Sequence, residues 1–377
     1  MDWKNELKEI REEIDAIDEQ ILDLFVKRMR ASHRVASLKS KQNLAVQDTE
    51  RENQIVRNAL LRVDQDLKSE TALFMRTILS LSREYQRRVL FSGEAPFFPP
   101  PSPPVIENVK CAYQGVPGAW SEQAAICLFP KGELISVNSF EDVFISVKGG
   151  KTNYGIVPIE NSKTGAIGET YDLLRKYGCF IVGRTWIDIR HNLVGLPDGS
   201  VSNIREVFSH AEGFKQCSQF LGSTTWDHTT CRNTAVAAEH VSRSGDKRNA
   251  AISSVRAAEL YGLKILIPDI MDSSDNRTSF VVIAKQPEYD QNSDLISVTF
   301  STIHRSGALC EALMPFMADN INLTRIESRP VSADKFRFFA EIQGNIQDKI
   351  MISALKHSAA ASEYFEILGC YSCKDCE

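Results

Sequence analysis

Along the first ninety residues, apolar positions recur at alternating spacings of three and four: Leu7, Ile10, Ile14, Ile17, Ile21 and Leu24, continued by Arg28, Ala31, Val35 and Leu38. This is the seam of a coiled-coil-like helix. It spans some 32 residues, about 48 Å at the helical rise of 1.5 Å per residue. A helix this long with one apolar stripe calls for a partner of comparable length, most simply a second copy of the chain. After a break at residues 40–47, the pattern predicts a second helix from Asp48 onward, capped by Asp48 or Thr49, with Ile55, Val56, Ala59 and Leu60 inward. A third is predicted over residues 69–90, with Leu73, Phe74, Ile78, Leu81 and Tyr85 on one face. Neither glycine nor proline occurs before Gly93, so nothing in this stretch breaks a helix.

Residues 96–104 (PFFPPPSPP) hold six of the 14 prolines and read as an extended, semi-rigid spacer. Beyond them, short β-type runs alternate with helical ones: VKCAY, ELISV, YGIVPI, CFIVGRTWI, EVFSH, NAAISS, LKILIPDI and TSFVVIAK. That alternation predicts an α/β domain with a mainly parallel sheet. From about residue 294 the order becomes strand, helix, strand, strand, helix, strand, that of a ferredoxin-like α+β module. The expected architecture is therefore multidomain: an all-α domain at 1–92, a proline-rich linker at 93–107, an α/β domain at 108–286 and a βαββαβ domain at 294–373.

Composition narrows the function. The chain of 377 residues is 43% apolar and carries a net charge of −5, so there is no global basic field and nucleic acid is not expected as a partner. No run of 18 apolar residues and no amino-terminal apolar segment exist, so neither a membrane span nor a signal peptide is expected, and the expected compartment is the cytoplasm. Of nine cysteines, Cys111, Cys127, Cys179, Cys217, Cys231 and Cys310 sit singly in apolar surroundings, as reduced thiols do. Cys370, Cys373 and Cys376 form C-x2-C-x2-C, three thiols without a fourth ligand, and a structural role is expected in preference to a metal site. No cofactor is implied.

Arg28 occupies a seam position where an apolar side chain belongs, and a buried guanidinium needs an anion. Arg11, Lys39 and Arg51 are placed to join it around one cavity, with Asp48, Glu52, Ser82 and Gln86 as hydrogen-bonding neighbours. Several cations without a nucleophile suit a small dicarboxylate whose reaction needs only orientation and charge stabilisation. Residues 1–90 resemble the all-helical chorismate mutases, through R11, R28, K39, D48-x-x-R51-E52 and S82-x-x-x-Q86. The resemblance implies rearrangement of chorismate to prephenate in an intertwined dimer. Arg28 and the partner chain's Arg11 would hold the two carboxylates, and Lys39 and Gln86 would face the ether oxygen. Asp48, Arg51, Glu52 and Ser82 would position the hydroxyl and carboxylate side.

In the α/β region, the turn YQGVPGAWS (113–121) follows a strand and opens a helix, where Gly115 and Gly118 could leave backbone amides free for an anion. The strand GIVPIENS (155–162) ends in Glu160, Asn161 and Ser162, at the carboxyl edge where ligands bind in open sheets. Ser209, His210, Gln216 and the segment 275–280 (DNRTSF) add candidates, with a helix-capping or surface role expected for His210. Together with IRHNL around His191, SHAEGFKQC, NTAVAA, AAISS and AAELYGL, these segments resemble prephenate dehydratases. The resemblance implies two subdomains around a cleft, like a periplasmic binding protein, and conversion of prephenate to phenylpyruvate. Thr278 maps onto the key threonine of a Thr-Arg-Phe motif, and Glu160, Asn161, Ser162 and Gln216 onto cleft positions. Ser279 replaces the motif arginine, and Arg277 could substitute only by reaching the same place. The proton donor is left open between Thr278 and a protonated Glu160. Arogenate in place of prephenate, or a cleft that binds without reacting, are the competing readings.

In the last unit, Gly307, Ala308 and Leu309 and the stretch Glu327, Ser328, Arg329 and Pro330 resemble the phenylalanine-binding motifs of ACT regulatory domains, with Ser306 in place of the usual proline. This implies that L-phenylalanine binds between two paired modules, with Asn322 and the backbone near Leu309 holding its polar groups, and inhibits the dehydratase. A homodimer or higher homo-oligomer follows from both ends of the chain.

Overall fold

A computed structural model describes residues 3–41, 48–90, 97–332 and 334–375. The amino-terminal segment is helical: α1 (Trp3–Lys41), α2 (Thr49–Leu60) and α3 (Lys68–Leu90). The expected break lies almost wholly outside the described residues. Asp48 caps α2, its carboxylate accepting the Arg51 amide at 3.0 Å. Only the last third of α1 packs on α3, where Ser32 and Ala36 are buried and the His33 ring lies 6.1 Å from that of Tyr85. The seam from Leu7 to Leu24 stays exposed, Leu24 to 65%.

The inward face of α3 differs from expectation, since Leu73 and Phe74 are exposed. The buried row is Leu79, Ser82 and Gln86, extending at the same three-four spacing from Ala72 and Met75. Its last two members are polar, so hydropathy picks out the neighbouring stripe instead.

The proline-rich segment is no free spacer. Phe98 is buried against Phe180 and Tyr289, with ring centroids 5.7 and 5.6 Å away, and Ser102 N donates to Pro287 O at 2.8 Å.

The α/β region has two lobes. The first holds β1 (Lys110–Gln114), α4 (Trp120–Leu128), β2 (Glu133–Val137), α5 (Phe140–Lys148), β3 (Tyr154–Asn161), β4 (Gly165–Ala166), α6 (Gly168–Tyr177) and β5 (Phe180–Asp188). The chain then crosses to a second lobe of β6 (Asn192–Gly195), β7 (Glu206–Ser209), α7 (Ala211–Gln216), α8 (Ser218–Leu221), β8 (Asp227–Thr230), α9 (Thr234–Ser244), β9 (Asn249–Ser253), α10 (Val255–Leu260) and β10 (Lys264–Ile267). It returns through residues 268–276 to add β11 (Arg277–Ala284) to the first lobe. The sheet orders are β2-β1-β3-β11-β5 and β10-β6-β9-β7-β8.

Neither sheet is mainly parallel in the way expected: β11 is antiparallel to β3 and β5, and β6 to β9 and β10. These are the first strands after each crossing. Each starts at the junction where the parallel strands end, so it must run the opposite way. The two crossing segments also pair, Ile189 N donating to Asn276 O and Ile270 N to His191 O.

The last unit is β12 (Leu295–Ser301), α11 (Ala308–Ala318), β13 (Leu323–Ser332), β14 (Lys335–Gln343), α12 (Lys349–Ala360) and β15 (Tyr364–Tyr371), an antiparallel sheet ordered β13-β14-β12-β15. It shares a core with the first lobe: Phe339, Leu368 and Tyr371 pack with Val157, Tyr171 and Ile181. Beyond β15, residues 372–374 lie along β5, Arg184 N donating to Ser372 O and Lys374 N to Arg184 O.

No helix among the described residues is long and apolar enough to cross a membrane. Among the described residues seven cysteines are free, including Cys370 and Cys373, whereas Cys127 is disulfide-bonded rather than a free thiol. Local sequence texture does not reveal which thiols a fold brings together. Cys376 lies outside the described residues.

Candidate functional site

The helical segment gathers part of the expected mutase set. Arg28 projects from α1 onto α3, donating to Ser82 Oγ and, at 3.3 Å, to Ile78 O. Burial lowers its pKa, and the negative charge of Glu52 opposes that shift. Gln86 is buried beside this turn, with its Oε1 unpartnered. Glu52 itself takes the guanidinium of Arg83, which also reaches Glu311 on α11 at 3.0 Å. A cavity of about 390 Å³ at this junction is lined by Glu52, Val56, Leu79, Arg83, Arg305 and Met314. Arg51 donates to Gln54 instead of into a cavity, and Asp48 is engaged as a cap. Arg11 lies 17 positions before Arg28 on the same helix, hence about 25 Å away along the axis. Within one chain it cannot share a ligand with Arg28. Lys39 is half-buried near the end of α1.

In the α/β region the polar side chains converge where the chain crosses between lobes. Asn161 at the end of β3 and Thr278 at the start of β11 are register partners. Asn161 Nδ2 has three acceptors within reach of its two hydrogens, Asn276 Oδ1 at 2.8 Å, Thr278 Oγ1 at 2.9 Å and, more distantly and so sharing a hydrogen, Arg277 O at 3.2 Å. Its Oδ1 accepts the amides of Lys163 and Thr164. Asn276 Nδ2 donates to Gln216 Oε1 at 2.8 Å, and that oxygen also lies 2.8 Å from His191 Nε2. His191 is 2% exposed, its pKa lowered by burial with the Gln216 bond opposing. Asn161, Gln216 and Thr278 are therefore one contiguous cluster.

Ser162 sits beside it, exposed. Its Oγ donates to Asp275 O and accepts the Arg277 amide, so it clamps the two strand ends together. His210 has the expected capping role, its Nδ1 accepting the Glu212 amide.

Glu160 is not in this cluster. Adjacent strand residues face opposite ways, and with Asn161 turned to the junction, Glu160 turns to the βαββαβ unit. There it meets Arg325 at 2.8 Å and Arg184 at 3.3 Å. Ser279 shares that side and accepts from Arg184 Nε at 2.7 Å. Arg184, nearly buried, also pairs with Glu341. Arg277 does not reach Ser279, pairing instead with Asp188 at 3.0 Å.

The glycine turn also departs from the anion-binding expectation. Gly118 N donates to Glu122 Oε2 and Gly115 N to Val137 O, so neither amide is free. Gly118, at φ +89°, lets the turn approach α10: a Cβ there would lie 3.1 Å from Ala257. The turn is where the lobes touch.

Gly307, at φ +79°, precedes α11, with Ala308 buried and Leu309 half-buried. Asn322 Nδ2 donates to Gln343 at 3.4 Å. On β13, Glu327 accepts from Arg325, and Arg329 reaches Asp172 at 3.5 Å and lies against Gly168, facing the first lobe, whereas Ser328 is exposed. Among the described residues no hydrogen bond or ion pair joins the 307–309 turn to these β13 residues within one chain.

Sequence reasoning missed His191, Asn276 and Arg184 as site residues. Arg184 carried a usable signal, a cation inside the apolar run CFIVGRTWI.

Residues 111–288 match the prephenate dehydratase family and residues 10–87 the chorismate mutase type II family. The chain is 32% identical over 372 residues to the bifunctional chorismate mutase/prephenate dehydratase of Aquifex aeolicus, covering 97% of this chain and 98% of that protein. It is 34% identical over 282 residues to the chloroplastic arogenate dehydratase/prephenate dehydratase 1 of Arabidopsis thaliana, covering 70% of this chain and 72% of that one. Among solved structures, the prephenate dehydratase of Arthrobacter aurescens in complex with L-Phe aligns with a TM-score of 0.64 at 26% identity, covering 70% of this chain and 90% of that one.

Proposed function

Since the chain belongs to the family of bifunctional chorismate mutase/prephenate dehydratases, with a mutase and a dehydratase in one polypeptide, we propose the following assignment of its residues. In the mutase, Arg28 and Ser82 of one chain and Arg11 of a second hold the dicarboxylate, with Lys39, Asp48, Arg51, Glu52 and Gln86 completing the site as the two α1 helices pair. The exposed seam from Leu7 to Leu24 supports this pairing, as does the roughly 25 Å between Arg11 and Arg28. The reaction is a pericyclic rearrangement, so fixed cations placed where charge develops on the ether oxygen suffice.

In the dehydratase, Asn161, Gln216 and Thr278 bind prephenate, with Ser162 holding the two strand ends in place. As the carboxylate is lost as carbon dioxide, its bonding pair enters the ring, the carbon–oxygen bond to the hydroxyl breaks, and the hydroxide takes a proton to leave as water. The observation that carries this reading is the Asn161–Thr278 hydrogen bond. The threonine oxygen accepts from Asn161, which leaves its own O–H to donate to the departing hydroxyl. Glu160, turned to the other side, takes no part in the chemistry.

The βαββαβ unit acts as an ACT-type regulatory module for L-phenylalanine. Gly307, Ala308, Leu309 and Asn322 of one copy would face Glu327, Ser328 and Arg329 of a second, because one chain does not bring them together. Glu160, Arg184 and Glu341 link this module to the strand bearing Asn161. A cytoplasmic setting is part of this reading, supported by the seven free thiols among the described cysteines though not by the disulfide-bonded Cys127.

The test gives purified protein chorismate and follows its loss, the appearance of phenylpyruvate, and the effect of L-phenylalanine. Prephenate accumulating without phenylpyruvate would defeat the dehydratase assignment. Turnover of arogenate at a kcat/KM above that of prephenate would replace the substrate.

A further inference from the structure

The polar cluster between the lobes has a fixed direction, set by backbone atoms at one end. Asn161 Oδ1 receives two backbone amides, and its Nδ2 faces the Arg277 carbonyl, so the orientation of this amide is determined. Its Nδ2 must then donate to Asn276 Oδ1, which turns the Asn276 NH2 toward Gln216 and leaves Gln216 Oε1 as the acceptor. A carbonyl oxygen only accepts. His191 Nε2, 2.8 Å from that oxygen, therefore carries the ring proton, and its Nδ1 is the bare, buried and unpartnered nitrogen.

Two donors remain unspent at the end of the chain: the NH2 of Gln216, whose oxygen is doubly engaged, and the O–H of Thr278. We infer that His191, as the neutral Nε2–H tautomer, and Asn276 are positioning residues of the dehydratase, which hold Gln216 with its NH2 rather than its oxygen toward the substrate. Two donors left at this end of the cluster suit a substrate with two carboxylates and a departing hydroxyl. One Gln216 flip would set a carbonyl oxygen against a carboxylate. Neither His191 nor Asn276 touches substrate in this scheme. They sit on the two segments that cross between the lobes, so the arrangement exists only when both crossings are in register.

This rests on the dehydratase reading of the cleft, which turnover of prephenate by the unaltered protein tests separately. The decisive variant is Asn276→Asp, nearly isosteric, which replaces the donor facing Gln216 with an acceptor. Gln216 then turns its NH2 inward, and His191 must accept at Nε2 and carry its proton on Nδ1. The expected result is a loss of dehydratase kcat/KM of about 100-fold, the scale of losing one preorganised donor, with mutase turnover unchanged. In the full chain labelled with 15N-histidine, the His191 signals should move from the Nε2–H to the Nδ1–H pattern. His191→Gln, which can offer an N–H near the Nε2 position, should keep most of the activity, while His191→Leu should lose it with a larger change in kcat than in KM. An Nδ1–H pattern in the unaltered protein would overturn the inference. So would an Asn276→Asp variant within about threefold of wild-type kcat/KM, or equal losses in His191→Gln and His191→Leu.

Discussion

Replacing Arg184 by methionine isolates what joins the first lobe to the βαββαβ unit. The guanidinium is 6% exposed and donates to Ser279 Oγ, to Glu341 and to Glu160. Glu160 keeps Arg325 as a partner when Arg184 is removed, but among the described residues Glu341 has no other cation, only the hydroxyls of Thr324 and Tyr371. Arg184→Met therefore leaves one carboxylate, itself 9% exposed, uncompensated in a shared core. Breaking a buried pair from one side costs about 3–5 kcal/mol. At about 2–4 °C per kcal/mol for a unit of this size, the melting temperature should fall by roughly 6–20 °C. Adding Glu341→Gln removes the stranded charge, and the double variant should recover about 1–3 kcal/mol relative to the sum of the single losses. The measurement is thermal and urea unfolding of the full chain for wild type, both single variants and the double. A single variant within about 0.5 kcal/mol of wild type, or strict additivity in the cycle, would refute the argument.

Arg28→Ala should reduce mutase turnover by at least about 100-fold while sedimentation still reports the wild-type assembly; retained turnover would remove Arg28 from the site. Ile14→Asp, placing a charge in the exposed seam of α1, should separate the paired α1 helices and abolish mutase activity while prephenate is still consumed; unchanged mutase activity would show that the seam is solvated in the native protein. Glu160→Gln should change dehydratase kcat by less than about threefold and alter the response to L-phenylalanine, because its partners are Arg184 and Arg325 rather than the cleft; a large drop in kcat would return it to the active site. The pKa of His191 is lowered by burial from an ordinary value near 6.5, so the unfolded chain binds its proton more readily than the folded one. Its contribution to stability is complete above about pH 6.5 and declines as the pH falls toward the lowered folded value. Unfolding of His191→Gln should lack that part of the acid slope.

Most of the elements were legible because their signals are local. The three-four seam of α1, the cap at Asp48 and the short β runs each depend on neighbouring residues. What failed depended on choices made at a distance. The parity of β3 puts Asn161 and Glu160 on opposite sides, yet nothing in the sequence says which side meets the junction. The true inward row of α3 ends in Ser82 and Gln86, so buried polar side chains disguise the helix face. The reversal of β6 and β11 follows from the two crossings, which become visible only once the lobes are assigned. Asn276 and His191 lay inside segments already singled out, but their role comes from a hydrogen-bond direction fixed by the backbone amides of Lys163 and Thr164. Arg184 could have been found by the reasoning applied to Arg28, a cation where an apolar residue belongs.

The position of β11 between β3 and β5 sets an order of events during synthesis. The first lobe begins to emerge from the ribosome before the second, yet β5 has no strand beside it to bond to β3 until residues 277–284 follow. The second lobe, continuous from 192 to 267, can close while the first is still a sheet with a missing member. Translation proceeds at about 5–20 residues per second, so the interval from the end of β5 to the end of β11 lasts on the order of 5–20 s. Throughout it, β3 and β5 present open edges, and Asn161, Gln216 and Thr278 do not yet share a surface.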